Sequence, residues 1–172
     1  PIYAEPERIV NAYADWISDE VKNEVVIPYV SMHGSTERMV DYLASALIER
    51  KVVPKPFNIT KTDVGELATA LVDAATLVIA TPTVLTAAHP MVVSIAYLVN
   101  ALRPKLKFVA IIGSYGWGGK AAEQLTGMLT NLKAEFLEPV IVKGLPKGDD
   151  FASLDALADE IGRRHAKIAP IG

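Results

Sequence analysis

VVIPYVSMHGSTE, residues 25–37, decides the reading of this chain: a mostly apolar run leads through three hydroxyl side chains, a glycine and a histidine into the start of a helix. An apolar run bounded by turn residues is what a strand covered on both faces requires, since neither side of it meets water. Beyond it, Met39, Val40, Leu43, Leu47 and Ile48 fall along one stripe of residues 37–50, the spacing of a helix lying on a sheet. The alternation then repeats. Further strands are predicted at residues 52–57, 75–80, 108–113 and 136–142, with helices at 64–73, from Pro90 to about Leu102, at 120–132 and at 154–167. This order predicts an α/β fold, a doubly wound, five-stranded parallel sheet with helices on both faces.

Prolines sharpen the topology. Pro54 and Pro56 have no amide to donate, so the second strand belongs at a sheet edge, which is its place in the order 2-1-3-4-5. Pro28 is in tension with this order, because strand one is interior and loses a donor there. Asp63 with Glu66 three residues later fits a capping box, and Pro90 suits the first turn of a helix. Ahead of strand one, Ile9, Val10, Tyr13, Trp16 and Ile17 recur at helical spacing over residues 6–18, a helix appended to the five-strand unit. Two readings of it stand. Its stripe packs on this core, or residues 1–22 are a linker from a missing preceding domain, with residues 23–172 forming the sheet domain.

Composition narrows the function classes. The chain has 172 residues, 51% of them hydrophobic, and a mean hydropathy of +0.26, enough for one well-buried core. Seventeen Lys and Arg against 20 Asp and Glu supply no basic field for nucleic acid or an anionic membrane. The absence of cysteine removes disulfides, iron-sulfur clusters and thiolate zinc sites. No apolar run reaches the roughly 18 residues of a membrane span, and PIYAEPERIV lacks the layout of a signal peptide. The expectation is a cytoplasmic domain without internal repeats.

In an open parallel sheet, ligands bind beyond the C-terminal strand ends where the strand order reverses. Three loops converge there: SMHGST at 31–36, TPTVLTAAHP at 81–90 and GSYGWGG at 113–119. In the first, the orphan amides of a helix start, its dipole and the hydroxyls of Ser31, Ser35 and Thr36 can solvate a phosphate dianion without a lysine, and Gly34 lets the backbone curl around it. Glu37 after Thr36 excludes the Gly-Lys-Ser/Thr ending of a nucleoside triphosphate loop, and the G-x-G-x-x-G fingerprint is missing too. Taken alone, the turn reads equally as a plain N-cap. The second loop joins Thr81, Pro82, Thr83 and Thr86 to apolar Val84 and Leu85, a surface suited to a heterocycle or equally an ordinary turn. The third sets Tyr115 and Trp117 among four glycines, better suited to stacking on a planar ligand than to core packing. A phosphate cradle beside an aromatic wall points to a phosphorylated planar cofactor, for which flavin mononucleotide (FMN) fits best.

SMHGSTERM, TPTVLTAAHP and GSYGWGG, in this order and spacing, resemble the flavodoxin-like domain of the flavodiiron proteins, or A-type flavoproteins, especially archaeal ones. In that family a metallo-β-lactamase-like diiron domain comes first and ends near a stretch similar to PIYAEPERIVNAYADW. The resemblance implies that Ser31, Met32, His33, Gly34, Ser35 and Thr36 hold the FMN phosphate. It implies that Pro82, Thr83, Val84, Leu85 and Thr86 line the isoalloxazine and ribityl region. Ser114, Tyr115, Gly116, Trp117, Gly118 and Gly119 would then wrap the ring, with Trp117 against it. Family members often carry a polar pair after Pro-Thr, where this chain has Val84 and Leu85, so backbone groups would serve the ring there. It further implies electrons arriving from a rubredoxin or a reduced-cofactor system and leaving for a diiron centre in the partner subunit of a head-to-tail homodimer, to reduce oxygen or nitric oxide.

That last step needs a cluster of histidines and carboxylates, and His33, His89 and His165 show no metal-ligand spacing. Neither a metal site nor catalytic residues are therefore assigned to this chain, which would be part of an oxidoreductase. His33 reads as a phosphate donor or a solvent-facing residue, His89 as structural or else near the flavin, and His165 as exposed at a helix C-terminus. Two alternatives remain: a free-standing FMN-dependent NAD(P)H:quinone reductase, and a flavodoxin-like interaction domain that has lost its cofactor, a reading that Val84 and Leu85 keep open. A phospho-acceptor receiver is disfavoured, since Ser31 and Thr81 stand where it needs acids.

Overall fold

A computed structural model describes residues 18–168; the stripe expected at residues 6–18 lies, but for Ser18, outside them. The elements are β1 (Lys22–Tyr29), α1 (Ser35–Glu49), β2 (Val53–Asn58), α2 (Val64–Leu71), β3 (Ala74–Val84), β4 (Ala87–Ala88), α3 (Pro90–Leu102), β5 (Phe108–Tyr115), α4 (Ala121–Met128), β6 (Glu135–Phe136), β7 (Val140–Lys143) and α5 (Gly148–Ile168). The sheet runs β2-β1-β3-β5, with β6 and β7 both parallel to β5 at the outer position. This is the order 2-1-3-4-5 with its fifth strand in two pieces.

The break corrects the continuous strand expected at residues 136–142, and its cause is one extra residue. Between Val109 opposite Phe136 and Ile112 opposite Val140, β5 advances three positions and the edge chain four. Such an excess is a bulge, and an edge bulge tolerates Pro139, which has no amide to pair. Pro54 and Pro56 lie in β2, which pairs with β1 at the opposite edge. Pro28 is interior; the β1–β3 register holds at Val26 opposite Leu77 and Tyr29 opposite Ala80, bracketing the residue that cannot donate.

Strand residues alternate between two cores, which is why the strands read as unbroken apolar runs. Val25, Ile27, Val78, Ala80 and Ile112 meet Leu43 and Leu47 of α1 and Leu154 and Ile161 of α5. Val26, Leu77, Ile79, Val109 and Ile111 meet Leu67 and Leu71 of α2, Val92 and Val99 of α3, and Leu125 of α4. Asp63 caps α2 by accepting from the Gly65 amide at 2.7 Å, Pro90 opens α3, and the His89 side chain caps α3 by accepting from the Met91 amide. Gly113 is required by packing: a Cβ there would lie 2.5 Å from the Thr81 carbonyl oxygen.

His165 is the clearest reversal. It continues the buried stripe Leu154, Leu157, Ala158, Ile161 of α5 and is 1% exposed, not solvent-facing. Its Nε2 lies 2.6 Å from Thr76 Oγ1 and its Nδ1 2.8 Å from Asn23 Oδ1. Since Asn23 Oδ1 only accepts, Nδ1 carries the proton and Nε2 accepts from the Thr76 hydroxyl. Burial pushes its pKa down to about 4. The four-residue step from Ile161 was the signal in the sequence.

Candidate functional site

At the C-terminal edge of the sheet, the loops after β1, β3, β5 and β7 converge on a pocket of about 300 Å3. Met32, His33, Ser35 and Thr36 line one side, Pro82, Thr83 and Val84 a second, and Ser114, Tyr115 and Gly116 a third, with Gly144 closing it. Ser31, Gly34, Leu85, Thr86, Trp117, Gly118 and Gly119 lie outside this lining. No Asp, Glu, Lys or Arg lines it, so any anion held here is held by backbone dipoles, hydroxyls and the His33 ring.

The first side is built by α1 starting at Ser35, two residues earlier than its apolar stripe suggests. Gly34 precedes it with φ 82°, a left-handed conformation that favours glycine. Ser31 does not line the pocket but braces the turn: its Oγ accepts from the amides of Gly34 at 3.1 Å and Glu37 at 3.3 Å. The amides of Ser35 and Thr36, in the turn that does line the pocket, have no acceptor within the helix. Thr36 Oγ1 and Ser114 Oγ are buried and 3.5 Å apart, the limit of a hydrogen bond, so both keep hydrogen-bonding capacity for a ligand.

The second side is a hairpin that the strand pattern did not foretell. β3 runs on to Val84, turns through Leu85 and Thr86, and returns as β4, pairing Thr83 with Ala88 and Val84 with Ala87. Leu85 has φ 49° and Thr86 φ 70°, the two positive values of a type I′ turn, which Asn-Gly normally supplies. The twist of the strands thus imposes on Leu and Thr a conformation costing roughly 1–2 kcal/mol per residue. Replacing the pair with Asn-Gly is expected to raise stability by about 1–2 kcal/mol, read as an upward shift in a urea unfolding midpoint. Leu85 is 93% exposed, so of the two residues that depart from the polar pair only Val84 lines the pocket.

The third side is the glycine-rich loop. Gly119 approaches the hairpin closely, since a Cβ there would lie 3.1 Å from Thr83 Oγ1, whereas Gly116 and Gly118 face open space. Trp117, next in the chain to the lining residue Gly116, is 89% exposed. Two supports were not singled out in the sequence. Gly144, with φ 71°, donates its amide to the Tyr115 carbonyl at 2.8 Å; its signal was a glycine ending the fifth strand at the same sheet edge. Gln124 of α4 reaches the hairpin from outside the pocket, and nothing local in the sequence marks it.

No protein-family model matches the chain. It is 32% identical over 164 residues to the nitric oxide reductase of Moorella thermoacetica, covering 94% of this chain and 41% of that protein. The rubredoxin oxygen:oxidoreductase of Desulfovibrio gigas superposes with a TM-score of 0.85 at 28% identity, over 90% of this chain and 39% of that one. The chain is a flavodoxin-like homologue of the flavodiiron proteins. This flavodiiron homologue also shares its fold with a flavodoxin from the domain Archaea, at a TM-score of 0.71 and 20% identity, over 82% of this chain and 97% of that one. It spans about two-fifths of the length of the flavodiiron-type relatives named here. Among the described residues, no helix is long and apolar enough to cross a membrane.

Proposed function

We propose that this chain is an FMN-binding electron-transfer module that works beside a diiron centre of the same or a partner subunit. The observation that carries the reading is the pocket itself. Buried hydroxyls of Thr36 and Ser114, the Ser35 hydroxyl and the first-turn amides of α1 meet there, without a single Asp, Glu, Lys or Arg, at the strand ends where the sheet order reverses. This donor set fits a phosphate monoester. The positive end of α1 favours the dianion, and the neutral donors satisfy its oxygens.

In this reading Ser35 and Thr36 hold the phosphate, and Ser31 keeps the turn in shape by occupying the Gly34 and Glu37 amides. Pro82, Thr83 and Val84 on one side and Tyr115 and Gly116 on the other receive the ring, with the exposed Trp117 available to cover it. When bound, FMN supplies reversible one- and two-electron transfer, and the protein contributes position and the polarity around the ring. The electron donor is a rubredoxin-like protein or a reduced-cofactor system, and oxygen or nitric oxide is reduced at iron outside this chain. A homodimer would bring the flavin module of one copy to the diiron domain of the other.

The test is a titration of the purified chain with FMN, followed by quenching of flavin fluorescence. Saturable quenching at one FMN per chain, with riboflavin binding at least about tenfold more weakly for want of the phosphate contacts, is the expected result. Absence of quenching would remove the proposal.

A further inference from the structure

We propose that Gln124, outside the pocket, is the positioning residue that holds the ring-facing hairpin wall at its working distance from the glycine-rich loop; this rests on the FMN reading above. Beyond Pro82, the last residue of β3 paired with β5, the wall cannot hold itself. β4 has two residues, too few for an independent hairpin, and the turn above it carries two strained residues, Leu85 and Thr86. One bond across its own base and two from the start of α4 keep it in place. Thr81 Oγ1 accepts from the His89 amide at 3.0 Å, the Lys120 amide donates to the Thr86 carbonyl at 2.9 Å, and Gln124 Oε1 accepts from the Ala88 amide at 2.9 Å.

The last of these has no substitute. Ala88 is 3% exposed, so water does not replace a lost acceptor, and a buried amide without one is strongly disfavoured. Lys120 is the N-cap of α4 and Gln124 lies in its first turn, directly after the loop that forms the opposite wall. Past the last sheet pair, Pro82 opposite Ser114, one short helix therefore ties the hairpin end to the opposite wall, and it helps set the space between Val84 and Gly116. With the Gln124 acceptor removed, the hairpin is loosened in the free chain. Ligand binding must then also order it, which lowers affinity without touching any ligand contact.

The experiment compares Gln124→Leu, which keeps size and loses the acceptor, with Gln124→Glu, which keeps the acceptor. FMN and riboflavin affinities are measured by fluorescence quenching, along with the visible spectrum of the bound flavin. Gln124→Leu is expected to weaken FMN and riboflavin by the same factor, about tenfold, and to shift the flavin absorption band, while Gln124→Glu stays within about threefold of the wild type. An effect on FMN alone would assign Gln124 to the phosphate end and overturn the proposal. So would unchanged affinity and spectrum in Gln124→Leu, or an equal loss in Gln124→Glu. If Gln124→Leu does not fold, Gln124→Glu decides: binding like the wild type supports the proposal and a tenfold loss overturns it. Failure of the wild type to bind FMN would instead strike the underlying reading.

Discussion

Ser35→Asp is expected to weaken FMN binding by about a thousandfold while making the empty chain slightly more stable. The two effects have opposite signs because a carboxylate at the first position of α1, which has Glu37 later in the same turn, interacts favourably with the helix dipole but repels a phosphate held at the same place. Ser35 is the first helical residue, after Gly34, and an acidic side chain there interacts favourably with the helix dipole, worth about 0.3–1 kcal/mol. In the proposed reading the same carboxylate stands where the phosphate is held. A like-charge contact near 4 Å costs on the order of 4 kcal/mol at the effective dielectric of a protein surface, and no lysine or arginine lines the pocket to offset it. FMN affinity should therefore fall by about a thousandfold. Riboflavin, which has no phosphate, should change by less than about threefold, roughly 0.6 kcal/mol. Quenching titrations with both flavins and thermal unfolding of the apoprotein measure all three quantities. If both flavins lost affinity equally, the phosphate would not lie at α1.

The second large effect belongs to the other end of the sheet and to pH. The folded-state pKa of His165, about 4, lies below its ordinary value of 6.5. Between those values the unfolded chain binds a proton that the native chain excludes, so stability is complete above pH 6.5 and falls as pH drops toward 4. A difference of this size corresponds to about 3 kcal/mol over the window, at about 1.4 kcal/mol per unit. Urea unfolding of the wild type at pH 7, 6 and 5 should show most of that slope. His165→Gln retains an amide for Thr76 and Asn23 but cannot titrate. It is expected to be about 1–2 kcal/mol less stable at pH 7 and to lose much less between pH 7 and 5. Carboxylates are common to both chains, so the difference in slope isolates the histidine; parallel slopes would count against this role.

Much of the site was legible before folding because its parts are local. A hydroxyl-rich turn after an apolar strand, and a glycine-rich loop holding Tyr115 and Trp117, are short-range signals, and the rule for parallel sheets brings strand exits to one edge. What could not be read was the division of labour within those loops. Ser31 has the same hydroxyl as Ser35, yet it braces the turn through the Gly34 and Glu37 amides while Ser35 lines the pocket. Val84 and Leu85 are adjacent, and a type I′ turn sends one to the pocket and leaves the other exposed. Of the four loop glycines, Gly113 and Gly119 serve close approaches to Thr81 and Thr83.

By itself the sequence determined the α/β class, the edge position of the proline-bearing strand and the three loops of the site, because strand and helix periods, missing proline amides and turn composition act over a few residues. Tertiary structure alone decided the bulge that splits the fifth strand, the hairpin after β3 and the partners of His165 and Gln124. The hairpin is local, but its turn residues Leu85 and Thr86 lack the Asn-Gly signal that would mark it; the bulge and the two sets of partners depend on a bond or register between segments far apart in the chain, Asn23 with His165 and Ala88 with Gln124 among them, and no local pattern encodes which distant group will be there to satisfy a buried one.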